Sequence, residues 1–193
     1  MLNQDSLNLL FNDARTHYHW QQKPVSEVLL RQVYDLTKMA PTSANCQPLR
    51  MVFVVSAEAK ARLKPHLDAG NVEKTMTAPV TAILGMDMAF YDQLPQLFPH
   101  ADARSWFVGN DQKIYDTAFR NSSMQAGYFI MAARSLGLDA GPMSGFNSVA
   151  VDAEFFAGTA IKSNLLCNLG YGDASKLFPR SPRPDFAAFC SVV

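Results

Sequence analysis

Ala40-Pro41-Thr42-Ser43-Ala44-Asn45-Cys46-Gln47-Pro48, running straight into Leu49-Arg50-Met51-Val52-Phe53-Val54-Val55, is the stretch on which the reading of the fold turns. Pro41 pushes Met39-Ala40 out of helical dihedrals, so the periodic segment upstream must end here. The apolar run Val52-Phe53-Val54-Val55 reads as a buried strand. Between them lies a loop of small polar residues with no charge before Arg50. Thr42, Ser43, Asn45 and Gln47 offer hydroxyls and amides that both donate and accept hydrogen bonds. Such a loop suits a neutral ligand rich in hydrogen-bonding groups, such as a sugar-alcohol chain or a heterocycle edge. The same residues also suit an ordinary helix-to-strand connection that satisfies its own backbone.

The chain around this stretch has 193 residues, 48% hydrophobic and 18% charged, which fits one globular domain with a substantial core. Lys and Arg total 17 and Asp and Glu total 17, so the formal charge is zero. That balance offers no electrostatic case for nucleic acid or an anionic membrane. The first residues lack a basic segment followed by an apolar one, so no secretory signal is expected. No apolar run approaches the ~20 residues needed to span a bilayer. Cys46, Cys167 and Cys190 are widely separated and odd in number, which fits a reducing, cytoplasmic setting without metal-ligand spacing. No repeat or linker divides the chain.

Upstream of the loop, Ser6 to Ala14 reads as a short helix that delivers Arg15-Thr16-His17-Tyr18-His19-Trp20. Arg15, the Thr16 hydroxyl and the His17 imidazole form a compact donor set suited to a phosphate, for which arginine offers a bidentate fork. His17 and His19 also have the spacing of a metal pair, but no third ligand stands near, so no metal is expected. Ser26 is an N-cap candidate for a helix bearing Val28, Leu29, Val33, Leu36 and Met39. Downstream, Ala57 to Leu67 is amphipathic. Asn71 and Lys74, three apart, share a helix face. There Lys74 would set a cation beside a developing anion, or the pair would simply be a solvated helix edge. Val80 to Met86 is a second buried strand.

From Asp87 to Trp106 the pattern breaks into prolines and aromatics, which reads as a pocket wall, an interface or a satellite core. Asp111 to Leu136 is the longest helical candidate, apolar nearly all round in its second half and therefore central. Gln125 sits within it, and a buried amide must find partners in a second subunit, a ligand or the backbone. Gly137 stops the helix. Gly141-Pro142-Met143-Ser144-Gly145-Phe146 follows, with glycines that let backbone approach a flat ligand. This is not the Gly-x-Gly-x-x-Gly phosphate fingerprint. Asn164 to Leu169 is a third strand. Arg180 and Arg183, on a stiff Pro-rich segment, are placed to meet Arg15 around one phosphate, unless they form only a solvated charge run.

Taken in order, Arg15-Thr16-His17, the Pro41–Pro48 loop, Asn71 with Lys74, Gly141–Phe146, and Gly170-Tyr171-Gly172 with Arg180 and Arg183 resemble the FMN-dependent nitroreductase family over nearly the whole chain. Asp13–His17, Phe119–Ala126 and Gly141–Phe146 are similar to its malonic semialdehyde reductase branch, linked to pyrimidine degradation. The resemblance implies an α+β fold: one domain over residues 1–193, an α-β-α sandwich with a central, mostly antiparallel sheet and a long buried central helix. It also implies an intertwined homodimer with FMN at each of two sites on the subunit interface.

For the site, the resemblance implies that Arg15, Thr16 and His17, with Arg180 and Arg183, hold the phosphate. His19 joins the cofactor-binding set at a position where many members carry Lys. Ser43 and Asn45, beside Thr42, would reach the ribityl chain or ring. Asn71 and Lys74 would meet the polar edge of the isoalloxazine, and Gln125 is grouped with them. Backbone N–H groups of Met143-Ser144-Gly145, after Pro142, would face N5. Many members carry Glu where Ser144 stands.

The implied activity passes hydride from NADH or NADPH to N5 and on to a small carbonyl such as malonic semialdehyde, giving 3-hydroxypropionate. Reduction of nitroaromatics or quinones, and non-enzymatic flavin binding, are the alternatives. A flavin carries its own chemistry, so neither a nucleophile–base pair nor a metal triad is needed.

Overall fold

Val80–Asp87 forms β2, and every residue from Val80 to Met86 is buried. A strand apolar on both faces must be covered on both. The computed structural model, which describes residues 1–193, shows how. β2 lies between β1 (Leu49–Val54) and β4 (Ile161–Gly170), and β3 (Asp139–Met143) lies on the far side of β4. All three pairings are antiparallel.

Val80, Ala82 and Leu84 share one face with Cys167 and Leu169 of β4. They pack on Ala126, Phe129, Ala132 and Ala133 of α6 (Asp111–Ser135) and on Leu30 and Val33 of α2 (Glu27–Thr37). Ile83 and Leu166 point the other way, into Leu63 at the end of α3 (Ala57–Leu63) and Val151 and Phe156 of and just after α7 (Ser148–Phe155). The period-2 alternation of two central strands thus decides the α-β-α sandwich.

The caps follow the sequence. Ser26 accepts from Leu29 N at the start of α2, and Asn110 accepts from Lys113 N at the start of α6. At the end of α6, Gly137 has φ of +78°. Its N–H donates to Arg134 O and that of Leu138 to Ala133 O, the paired bonds of a Schellman stop.

Four readings change. β1 is the outer strand of the sheet rather than a buried one, and Val55 just beyond it is half-exposed. The Gly-Pro segment at 141–142 lies within a fourth strand, β3. Proline there is tolerated because β3 is at the sheet's margin. Ser6 to Ala14 is a single turn, α1 (Gln4–Leu7), running into a wider π turn at Asn8–Asn12, with no buried residue. In α2, Val28, Leu36 and Met39 of the periodic set face outward, and Thr37 takes a core position instead.

The stretch after Asp87 resolves as short turns, including α5 (Leu94–Leu97), around a satellite core. Phe90, Leu94, Phe107, Ile114 and Cys46 meet there. Burial pushes the Cys46 thiol up to about 11, and that of the central Cys167 up to about 12. A last short helix, α8 (Phe186–Phe189), is exposed.

The remaining helix, α4 (Ala69–Thr77), is held from three sides. Its Lys74 carbonyl accepts from Trp20 Nε1 at 3.0 Å and Asn168 Nδ2 at 3.2 Å. Buried Lys60 donates to the carbonyls of Thr75, at 2.7 Å, and Ala78. A cation suits a helix C-terminus, but burial still pushes the Lys60 amine down to about 8. The native state therefore sheds this proton before the unfolded chain does. Between roughly pH 8 and 10.5 the group makes stability rise with pH. Lys60→Met removes that slope. It costs about 1–2 kcal/mol near neutrality, because two carbonyls lose a donor while a buried charge is also relieved. Urea midpoints of both proteins across that pH range measure it; parallel curves would refute the assignment.

Candidate functional site

The two ends of the chain meet over the C-terminal end of α6. A cavity of about 590 Å³ is walled there by Arg15, Thr16 and Tyr18 from the N-terminal segment, Arg134 from α6, and Arg180 and Arg183 from the C-terminal segment. Of the five arginines elsewhere, four are paired, Arg31 with Glu27, Arg50 with Asp87, Arg62 with Glu154 and Arg104 with Asp92, and Arg120 is an exposed exception. None of the four in the cavity has a carboxylate within ion-pair distance. Their contacts are instead to main-chain oxygens. Arg15 Nη2 donates to Phe178 O at 2.5 Å, and Arg180 Nη2 donates to Asn12 O at 2.6 Å and Ala14 O at 3.0 Å. Carbonyls fix the forks but do not neutralise them, so the cavity is a cationic site in a protein of zero formal charge.

Arg134 was not singled out from sequence, because an Arg in the last turn of a helix ordinarily reads as a partner of the helix dipole. His17 goes the other way. Its ring is buried, with Nε2 3.4 Å from Asp139 Oδ1 and Nδ1 without a partner. It lies over Gly172, where any side chain would collide with it. It is therefore beside the cavity rather than lining it. His19 is half-buried and meets the C-terminal segment through its carbonyl, which accepts from Asp173 N at 2.9 Å.

Tyr18 links the cavity to α4. The Lys74 ammonium stands 4.8 Å from the centre of the Tyr18 ring, has no ion pair, and is depressed by burial. One turn earlier, Asn71 Nδ2 donates to Gly145 O at 2.6 Å. A side chain at Gly145 would strike Asn71 and Asp68, so glycine lets α4 close on this loop. Ser144 and Pro142 are exposed, and Met143 is buried. Arg15, Tyr18, Lys74, Asn71 and the 142–145 loop thus form one connected tract.

The Thr42–Gln47 loop lies elsewhere in the same chain. Ser43 N donates to Asn121 Oδ1 at 2.9 Å, and Asn45 Nδ2 donates to Leu97 O at 2.9 Å. Gln125 is satisfied internally: its Nε2 donates to Gln47 Oε1 at 2.6 Å and its Oε1 accepts from Leu49 N at 3.0 Å. Ala44, Asn45 and Gln47 have φ of +49°, +50° and +41°, a left-handed run without a glycine. From Asn121 to Arg134 the helix rises about 20 Å. One chain therefore sets the loop and the arginines well apart along α6.

The site is thus a cationic cavity at the end of α6 with an unpaired lysine beyond it. The nitroreductase family model matches residues 13–172, and the chain belongs to the nitroreductase family. It is 67% identical over 185 residues to a candidate NADH dehydrogenase/NAD(P)H nitroreductase of Burkholderia lata, covering 96% of this chain and 95% of that one. Among solved structures, a candidate nitroreductase of Bacillus subtilis superposes with a TM-score of 0.89 at 22% identity, over 99% of this chain and 100% of that one. A candidate nitroreductase of Exiguobacterium sibiricum, solved in complex with FMN, superposes with a TM-score of 0.87 at 19% identity, over 100% of this chain and 99% of that one. No helix is long and apolar enough to cross a membrane.

Proposed function

We propose that this chain is an FMN-dependent NAD(P)H oxidoreductase acting as a homodimer, with a small carbonyl such as malonic semialdehyde as acceptor. The observation that carries the reading is the set of unpaired arginines, Arg15, Arg180 and Arg183 among them, gathered from both chain ends into one cavity. A phosphomonoester carries about −1.5 to −2 charge near neutrality and accepts from such forks. The name of the Burkholderia relative and the FMN in the Exiguobacterium structure point to the same cofactor and reductant. When bound, FMN would supply the hydride-transfer chemistry. The chain's part is to bind, orient and tune: arginines and Thr16 at the phosphate, Asn71 as an amide donor and Lys74 as a cation at the ring's polar edge, with His17 fixing the segment that carries them.

The spacing along α6 supports the homodimer. Thr42, Ser43 and Asn45 lie too far from their own chain's arginines to share a short ligand, so a second copy would bring its loop to this site. The exposed pairs Tyr115 with Phe119 and Met124 with Tyr128, on opposite flanks of α6, and the open margin of β1 support a second subunit there. Ser144, where many members carry Glu, removes one carboxylate that would repel an acceptor bearing its own, leaving Asp68 as the acidic group beside this loop.

The test is an absorption spectrum of the purified protein with its native mass, then anaerobic reduction by NADH or NADPH and reoxidation by malonic semialdehyde, a nitrofuran or a quinone. A yellow dimer reoxidised fastest by the semialdehyde is expected. A colourless protein that takes up no FMN overturns the whole reading, and faster turnover of the nitrofuran or quinone overturns the acceptor. Lys74→Met is expected to slow flavin reduction about tenfold, less than loss of a fully buried oxyanion donor. An unchanged half-reaction would remove Lys74 from this role.

A further inference from the structure

We infer that Arg134 is a phosphate-binding residue of the arginine cavity, and that it carries part of the discrimination between FMN and the same flavin without its phosphate. This rests on the FMN reading above. The side chain leaves the last turn of α6 and lines the cavity opposite Arg15 and Arg180. Of its donors only Nη1 finds partners in the chain, Leu10 O at 3.0 Å and the Met131 sulfur at 3.8 Å. Nε is sealed from solvent with no partner at all. No carboxylate reaches the guanidinium. Burial acts most strongly against its charge, Cys167 and Asp139 act the other way, and the neighbouring Arg180 adds a smaller opposition.

A half-buried guanidinium with its Nε sealed and unmatched is costly. A phosphate dianion removes that cost and meets a planar fork suited to it. The competing role is a strut that ties the N-terminal turn to α6 through Leu10 O. A strut needs neither the position in the cavity wall nor a set of unused donors. It would also support every flavin equally, whereas a phosphate contact acts only on the phosphorylated one.

That difference is the experiment. Wild type, Arg134→Gln and Arg134→Lys are loaded with FMN or with riboflavin, and affinity is read from flavin fluorescence recovered on dilution. Arg134→Gln is expected to lower FMN affinity about 10- to 100-fold, the scale of hydrogen bonds to a charged group, and to leave riboflavin affinity unchanged. Arg134→Lys, keeping charge without the fork, should fall between. Adding inorganic phosphate to the riboflavin-loaded proteins should raise the Tm of wild type more than that of Arg134→Gln. If FMN and riboflavin weaken together in both variants, Arg134 is a strut and the inference fails while the FMN reading stands. If wild type itself binds riboflavin as tightly as FMN, the phosphate role of the whole cavity fails. Should Arg134→Gln not fold, the lysine variant decides: an FMN-to-riboflavin ratio equal to that of wild type refutes the inference.

Discussion

Arg15→Ala should emerge from purification largely without flavin, with FMN affinity reduced about 100-fold. One charge-assisted contact accounts for about 1.5–3 kcal/mol, or roughly one to two decades. The effect belongs at the upper end of that range because Arg15 does two things. It lines the cavity, and it donates to Phe178 O, fastening the segment that brings Arg180 and Arg183. Removing it takes one cation from the anion and loosens two more. Arg15→Lys keeps the charge but not the planar fork, so intermediate retention is expected. The ratio of flavin to protein absorbance checks both. Full flavin content in Arg15→Ala would reject the phosphate role.

Gln125→Leu is expected to be the most damaging single change outside the apolar core. The side chain is buried and spans from α6 to the loop before β1. Leucine fills the space but leaves Leu49 N–H without its acceptor and Gln47 Oε1 without its donor. Each buried orphan costs about 1–3 kcal/mol, so a loss of about 2–5 kcal/mol follows. That corresponds to a Tm lower by roughly 5–20 °C for a chain of this size. Gln125→Glu keeps the acceptor for Leu49 N and should lose less. A leucine variant melting with wild type would show that the amide bridge contributes nothing.

Much of the sandwich was legible because β2 and α6 announce themselves. Val80 to Met86 is apolar at almost every position, and Asp111 to Leu136 is periodic and stopped by Gly137. β3 was not legible, because Gly141-Pro142 carries turn chemistry and only its place at the sheet's margin makes a strand of it. The outward turn of Val28, Leu36 and Met39 was hidden for a related reason: apolar character does not say which cover is present, and these side chains find none in the single chain. At the site, the meeting of Arg15, Arg180 and Arg183 was legible from residue type, since unpaired arginines on stiff segments suit one anion. The inward turn of His17 was not, because it depends on the absence of a side chain at Gly172, far away in sequence. Arg134 was masked by the apolar helix that carries it.

The left-handed run at Ala44, Asn45 and Gln47 has a consequence for how this protein can change over time. Its shape is imposed by the side-chain amides of Asn121 and Gln125 and by the Leu97 carbonyl, which accepts from Asn45, so it should set late in folding and loosen early on warming. In the proposed dimer, substitutions there would alter contacts at the flavin's ribityl or ring end while leaving the arginine cavity, at the far end of the same helix, untouched. Evolution can thus revise the two halves of the task on separate schedules.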